Sequence, residues 1–316
     1  MTGGRAAQDD GRVNHADWRT TTDARQFLAE AGPGLRADPV ENTLLLTIAH
    51  AAQGSAPAPA AAPLFGWHPA HPDGPAHPAT PGSSAHPDGP AAGGGAFVHT
   101  PGWPLVLGPM TEAAAAGLAT VLRDQGRRVA GVNGTPAAAE AFAAQWQQAG
   151  SPAPTSRLFQ RQRLFRLAEL TPPPPPPGRA RVATASDREL LTRWTDGFHR
   201  EANDSGRPDS GPVVDSRLAY GGQLVWETGG EAVSTAARTP VVGGMSRVAP
   251  VYTPPAQRGK GYGGAVTVAV SRAAQQAGAR EVVLFTDLAN PTSNALYQRL
   301  GYRPVSDRHV LLFTAR

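Results

Sequence analysis

The 316-residue chain is long enough for two domains, and its 36 glycines and 32 prolines imply much loop and linker. With no cysteine, disulfides, thiol nucleophiles and Cys-ligated metals are excluded. The formal charge of +4 comes from dispersed arginines without interleaved aromatics, which argues for a solvated surface and against a nucleic-acid partner.

The N-terminal MTGGRAAQDDGR has no basic-then-apolar signal pattern, and no apolar run approaches the length of a membrane span. The expectation is a cytoplasmic protein without membrane contact. From Ala51 to Gly95 the chain is rich in Pro, Ala, Gly and His, with HPDGPA at His71 and again at His86. Apart from LFGW (Leu64 to Trp67) it offers few large apolar groups to offset the entropy of ordering, and reads as a disordered insertion. His68, His71, His77 and His86 lack a carboxylate or cysteine to complete a ligand set, so no metal is expected.

FVHTPGWPLVLGPM is strand-like, and TEAAAAGLATVLRDQG is helical with Thr111 as N-cap. RRVAGV is a strand, and TPAAAEAFAAQWQQAG a helix with Pro136 in its first turn and Gly150 at its end. RQRLFRLAEL alternates like a strand, and the prolines from Pro172 to Pro177 form a stiff spacer.

After the prolines a similar order returns. QLVWET, AVSTAART and GMSRVAPVYT read as strands, and YGGAVTVAVSRAAQQAG as a helix whose apolar positions Val266, Val270, Ala273 and Ala277 share one face. EVVLFT is a strand. NPTSNALYQRLG is a helix with Asn290 as N-cap, Pro291 at its first position and Gly301 as C-cap. HVLLFTA closes as a strand. Aligning Gly150 with Gly301 sets Trp146 against Tyr297, as in a diverged duplication.

The informative loop is YTPPAQRGKGYGGAVTVAV, from Tyr252 to Val270. Gly259, Gly261 and Gly264 spell G-x-G-x-x-G, and Asp287 ends the next strand where a ribose-binding acid of a dinucleotide site could stand. Against that, TPPAQR separates strand from glycines, and only 29 residues follow Asp287. A kinase-type loop is excluded because Lys260 is the only lysine. Arg258, Gly261 and Gly263 also spell R-x-x-G-x-G, whose successive amides at a helix N-terminus suit a pyrophosphate. In the first half GWPLVLGPMTEAAAAG replaces this loop, so that copy has no phosphate cradle.

The stretch from VYTPPAQRGKGYGG through NPTSNALYQRLGYRPV resembles the cofactor-binding core of the GNAT N-acetyltransferase superfamily. The resemblance is most specific over about residues 241–314 and extends more weakly back to about Arg181. It implies an α/β chain with a mixed, mostly antiparallel sheet flanked by helices, whose central strands splay around the pantetheine of acetyl-CoA. The implied division is a degenerate GNAT-like domain over 1–170 with the insertion at about 51–95, a polyproline linker at 171–178, and a catalytic domain over 179–316.

Backbone groups of Val251 and Thr253 would then pair with the pantetheine arm. The amides of Arg258, Gly259, Lys260, Gly261, Tyr262, Gly263 and Gly264 would take the pyrophosphate, with Asn290 and Asn294 near the cofactor and Tyr297 facing the sulfur. The plainer roles are an N-cap for Asn290 and core packing for Tyr297. The implied reaction is direct acetyl transfer to a primary amine, with Tyr297 as general acid. An acidic base is missing from GMSRVAPVYT; Glu227 and His199 are candidates, as is a water relay. The alternative is a regulatory protein that holds acyl-CoA without turnover.

Overall fold

The computed structural model describes residues 18–54, 62–68, 94–148, 154–202 and 209–314. The first half contains β1 (Arg19–Thr21), α1 (Ala24–Glu30), α2 (Gly32–Ala37), α3 (Thr43–Gln53), β2 (Leu64–His68), β3 (Gly95–His99) and β4 (Leu105–Leu107). It continues through α4 (Glu112–Asp124), β5 (Gly131–Gly134), α5 (Pro136–Gln147) and the long β6 (Thr155–Leu167). The second half contains β7 (Arg179–Val182), α6 (Arg188–Glu201), α7 (Gly211–Ala219), β8 (Gln223–Thr228), β9 (Glu231–Arg238) and β10 (Met245–Tyr252). It ends with α8 (Tyr262–Gln276), β11 (Glu281–Asp287), α9 (Pro291–Arg299) and β12 (Tyr302–Thr314).

All the strands join one 12-stranded sheet in the order β1-β2-β3-β4-β5-β12-β6-β11-β10-β9-β8-β7. Neighbours are antiparallel except β4–β5 and β10–β11, so the mixed, mostly antiparallel sheet flanked by helices is present as expected. A doubly wound dinucleotide fold is thereby excluded, since that architecture needs a mostly parallel sheet.

The centre of the sheet is shared between the halves. The last strand, β12, stands between β5 and β6 of the first half, and β6 stands between β12 and β11. These two strands pair along their whole length, from Tyr302↔Leu167 to Thr314↔Thr155. A bidentate bond from Arg163 to Asp307, at 2.7 and 2.9 Å, ties them side chain to side chain.

Each half buries both faces of its strands, because alternate residues face opposite ways. Leu64, Phe97, Leu105 and Leu107 pack under α4 and α5, while Phe65, Trp67 and Val98 pack under α1 and α3. In the second half Leu224, Ala236, Val248 and Leu284 lie under α8 and α9, and Val225 lies under α6 and α7.

Several strand limits differ from expectation. FVHTPGWPLVLGPM is two strands, because Gly102 takes a φ of 81° and the Trp103 amide closes a turn on the Thr100 carbonyl. The strand expected in RRVAGV starts only at Gly131. LFGW, inside the Pro/His-rich stretch, forms the buried β2. Gly150, His71, His77 and His86 lie outside the described residues. Among the described residues no helix is long and apolar enough to cross a membrane.

Candidate active site

The parallel pair β10–β11 is in register from Met245↔Glu281 to Val248↔Leu284 and no further. Beyond that point Val251 and Tyr252 pair only with β9, at Ala236 and Thr235, while Phe285, Thr286 and Asp287 pair only with β6. A bulge between Val248 and Val251 turns β10 away from its neighbour. The two strands therefore part toward their C-terminal ends, leaving Val251 and Thr253 along one side of the opening.

Past Thr253 the chain makes a single 3₁₀ turn (Pro255–Gln257) and enters α8. Gly259 and Gly261 take φ of 76° and 84°, where a side chain is disfavoured. A Cβ at Gly259 would meet nothing within 4 Å, and one at Gly261 would find only Pro176, at 3.8 Å or more. The outer side of the loop is thus open. Gly261 is the N-cap of α8 and has no side chain to accept from the first turn, so the amides of Tyr262, Gly263 and Gly264 stand uncapped at a positive helix end. Glycines at 263 and 264 let the turn sit close: a Cβ there would lie 3.2 Å from Thr253 Oγ1 and 3.3 Å from Leu296 Cδ1. The Tyr262 ring is buried in the core, so only its amide faces the loop. These features fit a pyrophosphate.

On the other side of the opening lies α9. Asn290 is its N-cap, with Oδ1 accepting from the Ser293 amide at 3.0 Å. Asn294 donates Nδ2 to the carbonyls of Asp287 (2.8 Å) and Asn290 (2.7 Å), while its Oδ1 is buried without a hydrogen-bond partner. That orphaned acceptor fits a donor such as a pantetheine amide. Tyr297 is buried edge-on to Tyr302 at 6.0 Å, and burial pushes its phenol up to about 12. Asp287 has no ligand-like geometry: it accepts from Gln160 and from the Ala289 amide and caps its own turn.

Residues 187–302 match the model of the acetyltransferase (GNAT) family. This part of the chain is a GNAT domain. The GCN5-related N-acetyltransferase of Kribbella flavida is 22% identical, with a TM-score of 0.51 over 70% of this chain and 87% of its own. The GCN5-related N-acetyltransferase of Sphaerobacter thermophilus is 17% identical, with a TM-score of 0.54 over 95% and 96%. A GNAT-family acetyltransferase of Colwellia psychrerythraea is 10% identical, with 0.53 over 95% and 99%. At these identities the likeness is one of fold. No curated protein matches the chain in sequence.

Within the GNAT domain the charged side chains near the loop and on β8 are engaged by other groups of the protein. Arg258 does not extend over the loop. Its Nη2 bonds both oxygens of Glu201, at 2.8 and 2.6 Å, and its Nε donates to the Thr253 carbonyl at 2.9 Å. Lys260 folds back onto Gln257 Oε1 and the Ala256 carbonyl. Glu227 is bound by Arg181 at 2.6 Å and approached by Arg179 at 3.8 Å, on a strand separated from β10 by β9. Glu201, at the end of α6, instead reaches the open end of β10, where the Tyr252 hydroxyl donates to it at 3.1 Å. His199 lies in the same last turn of α6, edge-on to Phe198. Sequence reasoning missed Glu201 and Tyr252, because their meeting depends on how α6 lies across the sheet.

The corresponding place in the first half is closed. The Thr111 side chain caps α4 by accepting from the Ala114 amide at 3.2 Å, whereas α8 has no such cap. Where β4 and β5 part after Val106↔Asn133, the buried Arg308 of β12 fills the gap. Its Nη2 donates to the carbonyls of Leu107 (2.6 Å) and Asn133 (3.0 Å), and its Nε to Asn133 Oδ1 (2.8 Å). Trp146, aligned with Tyr297 in the sequence, packs in a three-ring cluster with Phe142 and Phe313.

Proposed function

We propose that the protein is an N-acetyltransferase that moves an acetyl group from acetyl-CoA directly to a primary amine, and that its two halves are tandem GNAT-like units of which the second is catalytic. The observation that carries this reading is the uncapped N-terminus of α8, entered through left-handed Gly259 and Gly261, beside strands that part after Val248 and Leu284. The amides of Gly259 to Gly264 hold the pyrophosphate; the Arg258 amide, expected to join them, closes the 3₁₀ turn on the Pro255 carbonyl at 3.2 Å instead. The β10 edge at Val251, unpaired with β11, and Thr253 beyond it align the pantetheine, with Asn294 Oδ1 accepting from it.

Acetyl-CoA supplies a thioester activated toward amines. Tyr297, held at about 12, stays protonated at neutral pH and donates its hydroxyl toward the sulfur as negative charge develops there. An ordinary thiol near 8.5 is the stronger acid, so the hydroxyl acts mainly as a preorganised donor, and the proton that ends on the sulfur comes from the acceptor nitrogen. The other acceptor proton leaves through water, since Glu201 at the open end of β10 is itself held on both oxygens by Arg258. Glu227, occupied by arginines two strands away, has a structural part.

The test is to incubate the full chain with acetyl-CoA and a panel of amines, following free thiol and product mass together. An acetylated amine whose appearance matches thiol release supports the reading. Binding of acetyl-CoA with no product across the panel would replace it with a carrier or regulatory role.

A further inference from the structure

The face of the sheet opposite α8 carries a cation, Arg247, away from the cofactor loop. Val248 packs under α8, so the preceding residue, Arg247, points to the other face, toward α7. Its Nη1 is enclosed and has no hydrogen-bond partner among the described residues. Arg217 of α7 and Tyr220 at the end of that helix are its charged or titratable neighbours, and the Tyr220 hydroxyl is turned to the Arg238 carbonyl at 2.6 Å. Burial, then the like charge of Arg217, pulls the Arg247 guanidinium down to about 10. Among the described residues no carboxylate pairs with Arg247, and a guanidinium nitrogen enclosed without a partner is costly unless an anion completes the site.

Position makes this more than a structural oddity. Arg247 immediately precedes Val248, the last β10 residue paired with β11, so it flanks the point where the strands part. Beside it Ala249 on β10 is exposed, and Ala237 on β9 pairs with Gln223 of β8. Gln223 Oε1 is likewise buried without a partner. Polar groups lacking partners thus stand on the face across from the cofactor loop, one of them an arginine fork shaped for two oxygens.

We propose that the acceptor amine carries an anionic group, a carboxylate or a phosphate, and that this group docks on Arg247 on the face of the sheet opposite α8. The inference rests on the transfer reading for its acceptor, but the anion site can be tested without turnover.

Melting temperatures of the full chain are measured in chloride, acetate and phosphate at matched ionic strength, for wild type and Arg247→Gln. The general salt effect is common to both proteins, so the difference between them reports the site. Acetate or phosphate should raise the wild-type value by a few degrees more than the variant's, and the more effective anion identifies the group. In chloride the variant should melt no lower than wild type, because it loses an uncompensated charge. Equal increments in the two proteins would overturn the proposal. If Arg247→Gln does not fold, Arg247→Lys, which keeps the charge but not the fork, takes its place.

A second arm compares β-alanine, phosphoethanolamine and ethanolamine as acceptors. One of the anionic amines should exceed ethanolamine in kcat/KM by about 10-fold or more, and Arg247→Gln should bring the ratio to within about 2-fold, as expected when a bidentate contact is lost. Equal use of all three, or an equal loss on all three, would contradict the proposal. If none is acetylated, the melting comparison alone decides.

Discussion

Val248 of β10 and Leu284 of β11 are the last residues those parallel strands share, and every group assigned to the cofactor lies beyond them. The pair ends because β10 carries a bulge toward β9 while β11 keeps its register with β6 through Asp287. The opening is therefore built by two outer partners pulling in different directions.

Tyr297 of α9 is buried beside Tyr302, and Tyr297→Phe should separate the proposed chemistry from packing. As a preorganised donor to the sulfur the hydroxyl is worth about 10²–10³-fold in kcat, with CoA affinity nearly unchanged. A packing tyrosine would lose melting temperature and keep kcat. Its pH signature is also distinct. The phenol ionises near 10 when unfolded and near 12 when folded, so its stabilising share is present below pH 10 and lost as pH rises toward 12. Wild type should lose stability over that window more steeply than Tyr297→Phe.

Arg308 predicts how many cofactors bind. Because its guanidinium holds the Leu107 and Asn133 carbonyls where β4 and β5 part, calorimetry should give one CoA per chain. Arg308→Ala strands buried acceptors and should cost about 3 kcal/mol or more. Two equivalent sites per chain, or an unchanged melting temperature in Arg308→Ala, would show that the first half is not closed this way.

The carboxylates can be told apart by charge removal. Glu227→Gln should lower stability by about 1–2 kcal/mol through its lost arginine contacts and leave kcat within a few-fold. Glu201→Gln, at the open end of β10, is the informative comparison. A loss of about 100-fold in kcat for Glu227→Gln alone would restore Glu227 as the general base.

His68 and Gly95 are paired across β2 and β3, so the residues between them connect chain ends that are already adjacent. Replacing residues 69–93 with a short Gly/Ser turn should leave melting temperature and turnover within a few-fold. Loss of activity would show that this stretch takes part in the reaction.

What the sequence revealed followed from local chemistry. Gly259 and Gly261 announce left-handed turns, and Asn290 with Pro291 announces the start of α9. What it concealed was long-range. The alternation in RQRLFRLAEL marks a strand, but nothing in it says that β12 will lie between it and β5, since pairing partners far apart in sequence leave no local trace. The three helices before β2 were also missed. Arg308 read as one more surface arginine, because the carbonyls it holds come from residues about 200 and 175 positions away.

The central claim is that the loop entering α8 holds the pyrophosphate of CoA, and the most direct measurement is calorimetric titration of CoA into wild type, Gly261→Asn and Gly261→Glu, each checked for folding. Asparagine tolerates the left-handed φ of 84° and adds no charge, so Gly261→Asn should bind CoA within about 10-fold of wild type. Gly261→Glu places a carboxylate where the phosphates lie and should show no binding. Unchanged CoA affinity in a folded Gly261→Glu would contradict the assignment of the site.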